Sequence, residues 1–107
     1  MDQNRIAQLT RFHEEDPNDP FILYGLALEY QKTDMKKSED FFDKLLTNFP
    51  EYLPTYYHAA KQKAALGKPD RAIHIFTSGI ALAQKQHEAA TARELQSALD
   101  ELKFEME

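Results

Sequence analysis

The chain of 107 residues contains no cysteine and no tryptophan, only three glycines and five prolines, and fewer basic than acidic side chains. Without cysteine, disulfide scaffolds, thiolate zinc sites and cysteine nucleophiles are excluded. The glycines, Gly25, Gly67 and Gly79, are scattered, so no glycine-rich turn exists to cradle a phosphate. Thirteen Lys and Arg against 18 Asp and Glu give a net charge of −5, the wrong sign for a chain that neutralises nucleic-acid phosphates. No apolar run approaches the roughly 18 residues of a membrane-spanning helix, and the opening Met-Asp-Gln-Asn-Arg lacks the basic start and apolar stretch of a secretory signal. We therefore expect a cytoplasmic protein with neither a membrane nor a nucleic acid as partner. What is present, 42% hydrophobic and 29% charged residues, is ordinary for a folded domain. A chain of this length forms about one domain and buries roughly two thirds of its unfolded surface.

The sparse prolines and glycines act as punctuation between helical patterns. In Asp16-Pro17-Asn18-Asp19-Pro20, Asp19 is placed to cap the free amides of a helix whose first position is Pro20. Leu53-Pro54 and Lys68-Pro69 repeat the device without the cap. Between these stops apolar residues recur at helical spacing, as in Leu23, Leu26, Ala27 and Tyr30, or Phe41, Phe42, Leu45, Leu46 and Phe49. No segment alternates with period two. The pattern predicts six helices, near 2–14, 20–32, 36–48, 54–66, 69–85 and 88–105, joined by connections short enough for antiparallel hairpins. The boundary between the fifth and sixth is the least marked, because residues 83–88 contain neither Gly nor Pro.

A self-similarity runs through these helices. Ser38, Phe42, Leu45 and Leu46 recur 34 residues later as Ala72, Phe76, Gly79 and Ile80, while Leu23, Leu26 and Ala27 recur after 33 as Tyr56, Ala59 and Ala60. Leu9 and Phe12 precede Pro17 as Phe42 and Leu45 precede Pro50, so the first helix reads as the second half of a unit. On these residues the chain resembles the tetratricopeptide repeat family, over roughly residues 4–86. The departures are Lys63 where a Tyr is usual, Gly79 where Ala is usual and Gln84 for the closing Pro. The resemblance implies an all-α fold, a right-handed superhelix of about six antiparallel helices in a single domain. Residues 1–15 would form a leading half-repeat helix, 20–50 repeat one, 53–86 repeat two and 88–106 a capping helix. Small residues at Ala27, Ser38, Ala60 and Ala72 would let paired helices approach closely, and stacking is obligatory because one repeat cannot bury its own apolar face.

No catalytic arrangement is legible. His13-Glu14 and His87-Glu88 begin like a helical zinc-protease motif, but Pro17 and Thr91 stand where its second His belongs. A metal held by His13 with Glu14, Glu15 and Asp16 serves as a contrast to test, the ordinary meaning being a solvated helix end. We expect no enzyme, metal, cofactor or small-molecule substrate. The family resemblance instead implies a concave groove lined by the first helix of each repeat, which receives a peptide or partner helix. Aligned positions assign to it Phe21, Tyr24, Leu28 and Gln31, then Pro54, Tyr57, Lys61 and Ala64. Neither the Lys and Asn set nor the later Lys and Arg pair with which one branch of the family grips carboxylates appears at Tyr24, Leu28, His58, Glu88 and Ala92. The alternative is a self-assembling module, dimerising through that groove or through the seam of Leu95, Leu99, Leu102 and Met106, which step by four, three and four. Charge favours the ends unequally: residues 1–20 and 87–107 together carry −7, the middle +2.

Overall fold

The computed structural model describes residues 2–107 and folds them into six helices: α1 (Asp2–Glu15), α2 (Pro20–Tyr30), α3 (Met35–Asn48), α4 (Thr55–Ala65), α5 (Pro69–Lys85) and α6 (Ala89–Glu105). Among the described residues there is no strand. Each helix falls within two residues of the range expected from apolar spacing. The chain forms two compact units, the first ending at Tyr52 and the second comprising Leu53–Glu107.

In the first unit α1 packs on α2 and α2 on α3. The entry to α2 follows the expected chemistry, with Asp19 Oδ1 accepting a hydrogen bond from the Phe21 amide at 2.9 Å and Pro20 occupying the first turn. Asp34 does the same for α3, accepting from the Lys37 amide at 3.2 Å. Ala27 and Ser38 are fully buried where α2 meets α3, and the Ser38 hydroxyl donates to the Ala27 carbonyl at 2.6 Å. The small side chains thus allow close approach, and the hydroxyl adds a polar pin that spacing alone does not reveal. On the other side of α2, Arg5 Nε lies 3.4 Å from Glu29, which also meets Lys32 at 3.4 Å.

The second unit pairs α4 with α5 and α5 with α6. Ala60 and Ala72 hold the places of Ala27 and Ser38 and are equally buried. Gly79, a departure from the family pattern, has a steric reason. A Cβ added there would lie 2.8 Å from Tyr56 Cβ and 3.1 Å from Leu95 Cδ1, so α4, α5 and α6 meet too closely for even a methyl group. Lys63, the other departure, is only 4% exposed, and Glu39 in the first unit is 6% exposed; both are engaged in interactions.

Two helix ends share one geometry. After α4, Gly67 adopts a left-handed φ of 77°, its amide donates to the Ala64 carbonyl and the Lys68 amide donates to Lys63, the Schellman pattern. After α5, His87 adopts a φ of 62°, with its amide donating to Gln84 and the Glu88 amide to Ala83. The chain therefore breaks between α5 and α6 by the same hydrogen bonds, using a histidine where glycine is the usual residue. This explains why the boundary carries so faint a mark in the sequence.

Candidate functional site

Phe21, Tyr24 and Leu28 of α2 and Gln31 at its C-cap step by three, four and three residues and so share one edge of that helix. Phe21 is exposed, and the other three are half-buried. Tyr24 makes edge-on contacts with Phe42 of α3, 6.5 Å between ring centroids, and with Tyr52 in the turn after α3, at 5.9 Å. Burial, and secondarily the neighbouring Tyr52, raise its phenol above the ordinary value of 10.0. Tyr52 is raised too, by burial first and then by the Asp19 carboxylate. Tyr24 is accordingly an aromatic wedge within its own unit, with one edge left at the surface.

The counterpart edge of α4 carries Tyr57, Lys61 and Ala64. Tyr57 is 37% exposed. Its ring meets the His58 imidazole edge-on at 5.5 Å and lies 6.0 Å from the Lys61 ammonium, within reach of a cation–π attraction. Burial lowers the His58 pKa below its ordinary 6.5. Pro54, assigned to the same edge, precedes the helix as its N-cap residue.

Beside this edge the second unit opens a cleft of about 270 Å³. Lys61, Ala64 and Ala65 of α4 form one wall, the edge of buried Phe76 lies at the bottom, and Ala98, Glu101, Leu102 and Glu105 of α6 form the other wall. The sequence assigned Lys61 and Ala64 to a binding face, but the wall supplied by α6 was not foreseen. A signal for it exists in the chain. Glu94, Ala98, Glu101 and Glu105 step by four, three and four, and none of the three glutamates has a basic residue three or four positions away on its own helix.

The α6 seam divides. Leu95 and Leu99 are 1% and 4% exposed, buried in their own unit, whereas Leu102 is half-buried at the cleft and Met106 is exposed. Only the last two of the four remain available to another molecule. Among the described residues no group of three or more His, Asp or Glu side chains is placed to hold a metal ion, so His13, Glu14, Glu15 and Asp16 are not gathered into a site. No helix among the described residues is long and apolar enough to cross a membrane.

Comparison with solved structures places this architecture. The solution NMR structure of a tetratricopeptide repeat domain protein from Salinibacter ruber is similar with a TM-score of 0.77 and 35% identity, over 81% of this chain and 89% of that one. A crystal structure of a tetratricopeptide repeat domain protein from the same organism gives 0.75 and 33%, over 80% and 97%. A crystal structure of PcrH in complex with the chaperone binding region of PopD matches 99% of this chain and 81% of that one with a TM-score of 0.87, at 19% identity, a likeness of fold. No family model and no curated protein matches the sequence.

Proposed function

Because the chain belongs to the tetratricopeptide repeat family, we propose that it is a non-enzymatic interaction module that receives a peptide or partner helix on the exposed edge of α4 and the cleft beside it. The observation that carries this reading is the Tyr57 and Lys61 pair, both exposed on α4, with Lys61 also lining an open, apolar-floored cleft. A tyrosine ring offers a large contact area and a hydroxyl donor while losing little rotamer freedom, which is why such residues dominate binding energy at interfaces. The volume fits two or so partner side chains and falls below the range of about 300–1,000 Å³ typical of small-molecule pockets. PcrH, crystallised in complex with the chaperone binding region of PopD, supports a protein partner for this kind of fold.

The test is affinity purification of the tagged chain from its host, wild type beside the Tyr57→Ala, Lys61→Ala double variant. Both substituted residues are exposed, so helical circular dichroism should be unchanged while co-purifying protein falls at least several-fold. Undiminished recovery with intact helicity would reject this face. A second reading, self-association through the end of α6, draws on exposed Phe104 and Met106. Light scattering that shows a monomer at all concentrations removes it.

A further inference from the structure

The cleft of the second unit is not neutral. One wall offers the carboxylates of Glu101 and Glu105, with Glu94 on the same edge of α6 one turn before Ala98, and all three are exposed. Among the described residues none of them forms an ion pair within the protein. The opposite wall offers one ammonium, Lys61, which lies over the Tyr57 ring. Between the walls the surface is apolar, made of Ala64, Ala65, Ala98, Leu102 and the edge of Phe76. From this arrangement we propose that the cleft takes a partner segment in which an apolar side chain is flanked by Lys or Arg. The apolar group enters between α4 and α6, and the basic groups lie along the α6 glutamates.

This proposal rests on the interaction reading above and adds the chemistry of the partner. The spacing suits the task. Glu101 and Glu105 are separated by one helical turn, about 6 Å along the axis, so they address either basic residues one turn apart on a helix or alternate residues of an extended strand. An acidic segment would meet two or three carboxylates for one ammonium and be repelled, and repulsion of this sort selects partners as effectively as attraction. A second copy docking by its own α6 would bring glutamates against glutamates.

The experiment is selection of a random peptide library displayed on phage against the full chain, in parallel with the E101K/E105K variant. Both substitutions lie on an exposed edge, and circular dichroism checks that helicity is retained. The expected result is enrichment of peptides with an apolar residue next to Lys or Arg. Their affinity should weaken about tenfold on the variant and fall with rising salt, and the variant should instead enrich acidic flanks. Enrichment of apolar or acidic peptides whose binding ignores the two glutamates would overturn this inference and leave the interaction reading standing. A chain that enriches no peptide at all would overturn both. Concentration-dependent dimerisation abolished by E101K/E105K would also overturn it, by assigning the cleft to a second copy.

Discussion

Tyr24 and Tyr57 occupy the same place in successive repeats, and their surroundings differ. Tyr24 is wedged against Phe42 and Tyr52, whereas Tyr57 stands more than a third exposed beneath Lys61. The difference traces to the trailing turn. Tyr52, which covers Tyr24, is matched 34 residues later by Gln86, an exposed residue that supplies no ring. A repeat therefore fixes where a side chain is attached, and the segment that follows decides whether it packs or is presented. The glycines of the two units make the same point. A Cβ at Gly25 would touch the Leu9 methyl groups at an ordinary 3.4 Å, but one at Gly79 would collide with Tyr56 at 2.8 Å.

The tyrosine contrast predicts the largest effect. Tyr24→Ala should destabilise the protein by about 2 kcal/mol, since it removes a half-buried ring and two aromatic contacts, while Tyr57→Ala should cost less than about 0.5 kcal/mol. Urea midpoints of the two variants check this, and equal losses would erase the distinction between wedge and presented ring. The glycine contrast comes next and should reverse sign. At Gly79 overpacking outweighs the helix propensity gained, so Gly79→Ala should lose about 1–2 kcal/mol, whereas Gly25→Ala should gain up to about 1 kcal/mol. Thermal melts of the pair decide it.

The two Schellman ends sharpen the comparison further. Gly67→Ala should lose about 1 kcal/mol by placing a Cβ at positive φ, and His87→Gly should gain a similar or smaller amount by relieving the same strain. Chemical denaturation of both variants would show opposite shifts, and a neutral His87→Gly would mean that the histidine side chain stabilises its turn by other means. The smallest effect is in pH dependence. His58 in the second unit has a lowered pKa, so the unfolded chain takes up its proton first. Stability should fall as pH drops below about 6.5 and level off once the folded imidazole also protonates. Tyr24 and Tyr52 in the first unit have raised values, so their contribution is complete below about 10 and is lost as pH rises beyond it. Urea titrations across pH test both limbs, with His58→Asn expected to flatten the acid one and Tyr52→Phe the alkaline one.

Much of the fold was legible because helical signals are local. Asp19 marks a helix start, Pro20 and Pro69 open helices, and apolar residues three and four apart face inward. The α5–α6 break was faint because the device that ends α5, a left-handed residue, is carried by His87, which has no special standing in composition or spacing. The helix edges that carry Tyr24 and Tyr57 could be matched in the sequence by repeat register. Their states were not legible, because Tyr24 is packed by Phe42 and Tyr52, which come from α3 and the turn after it, whereas Tyr57 meets His58 and Lys61 of its own helix and stays exposed. The α6 wall of the cleft escaped notice for a related reason. Its glutamates look like an ordinary solvated face until Lys61, Ala64 and Ala65 are seen opposite them.

The sequence by itself determined the helices, their pairing and the repeat that unites them, since each follows from hydrogen bonding and apolar periodicity within a few turns of chain. Tertiary structure alone decided which equivalent tyrosine is presented, why Gly79 tolerates no side chain and where a charged wall faces an apolar floor. These depend on distances between segments far apart in the chain, and contacts of a few ångströms are set by how whole helices come to rest against one another.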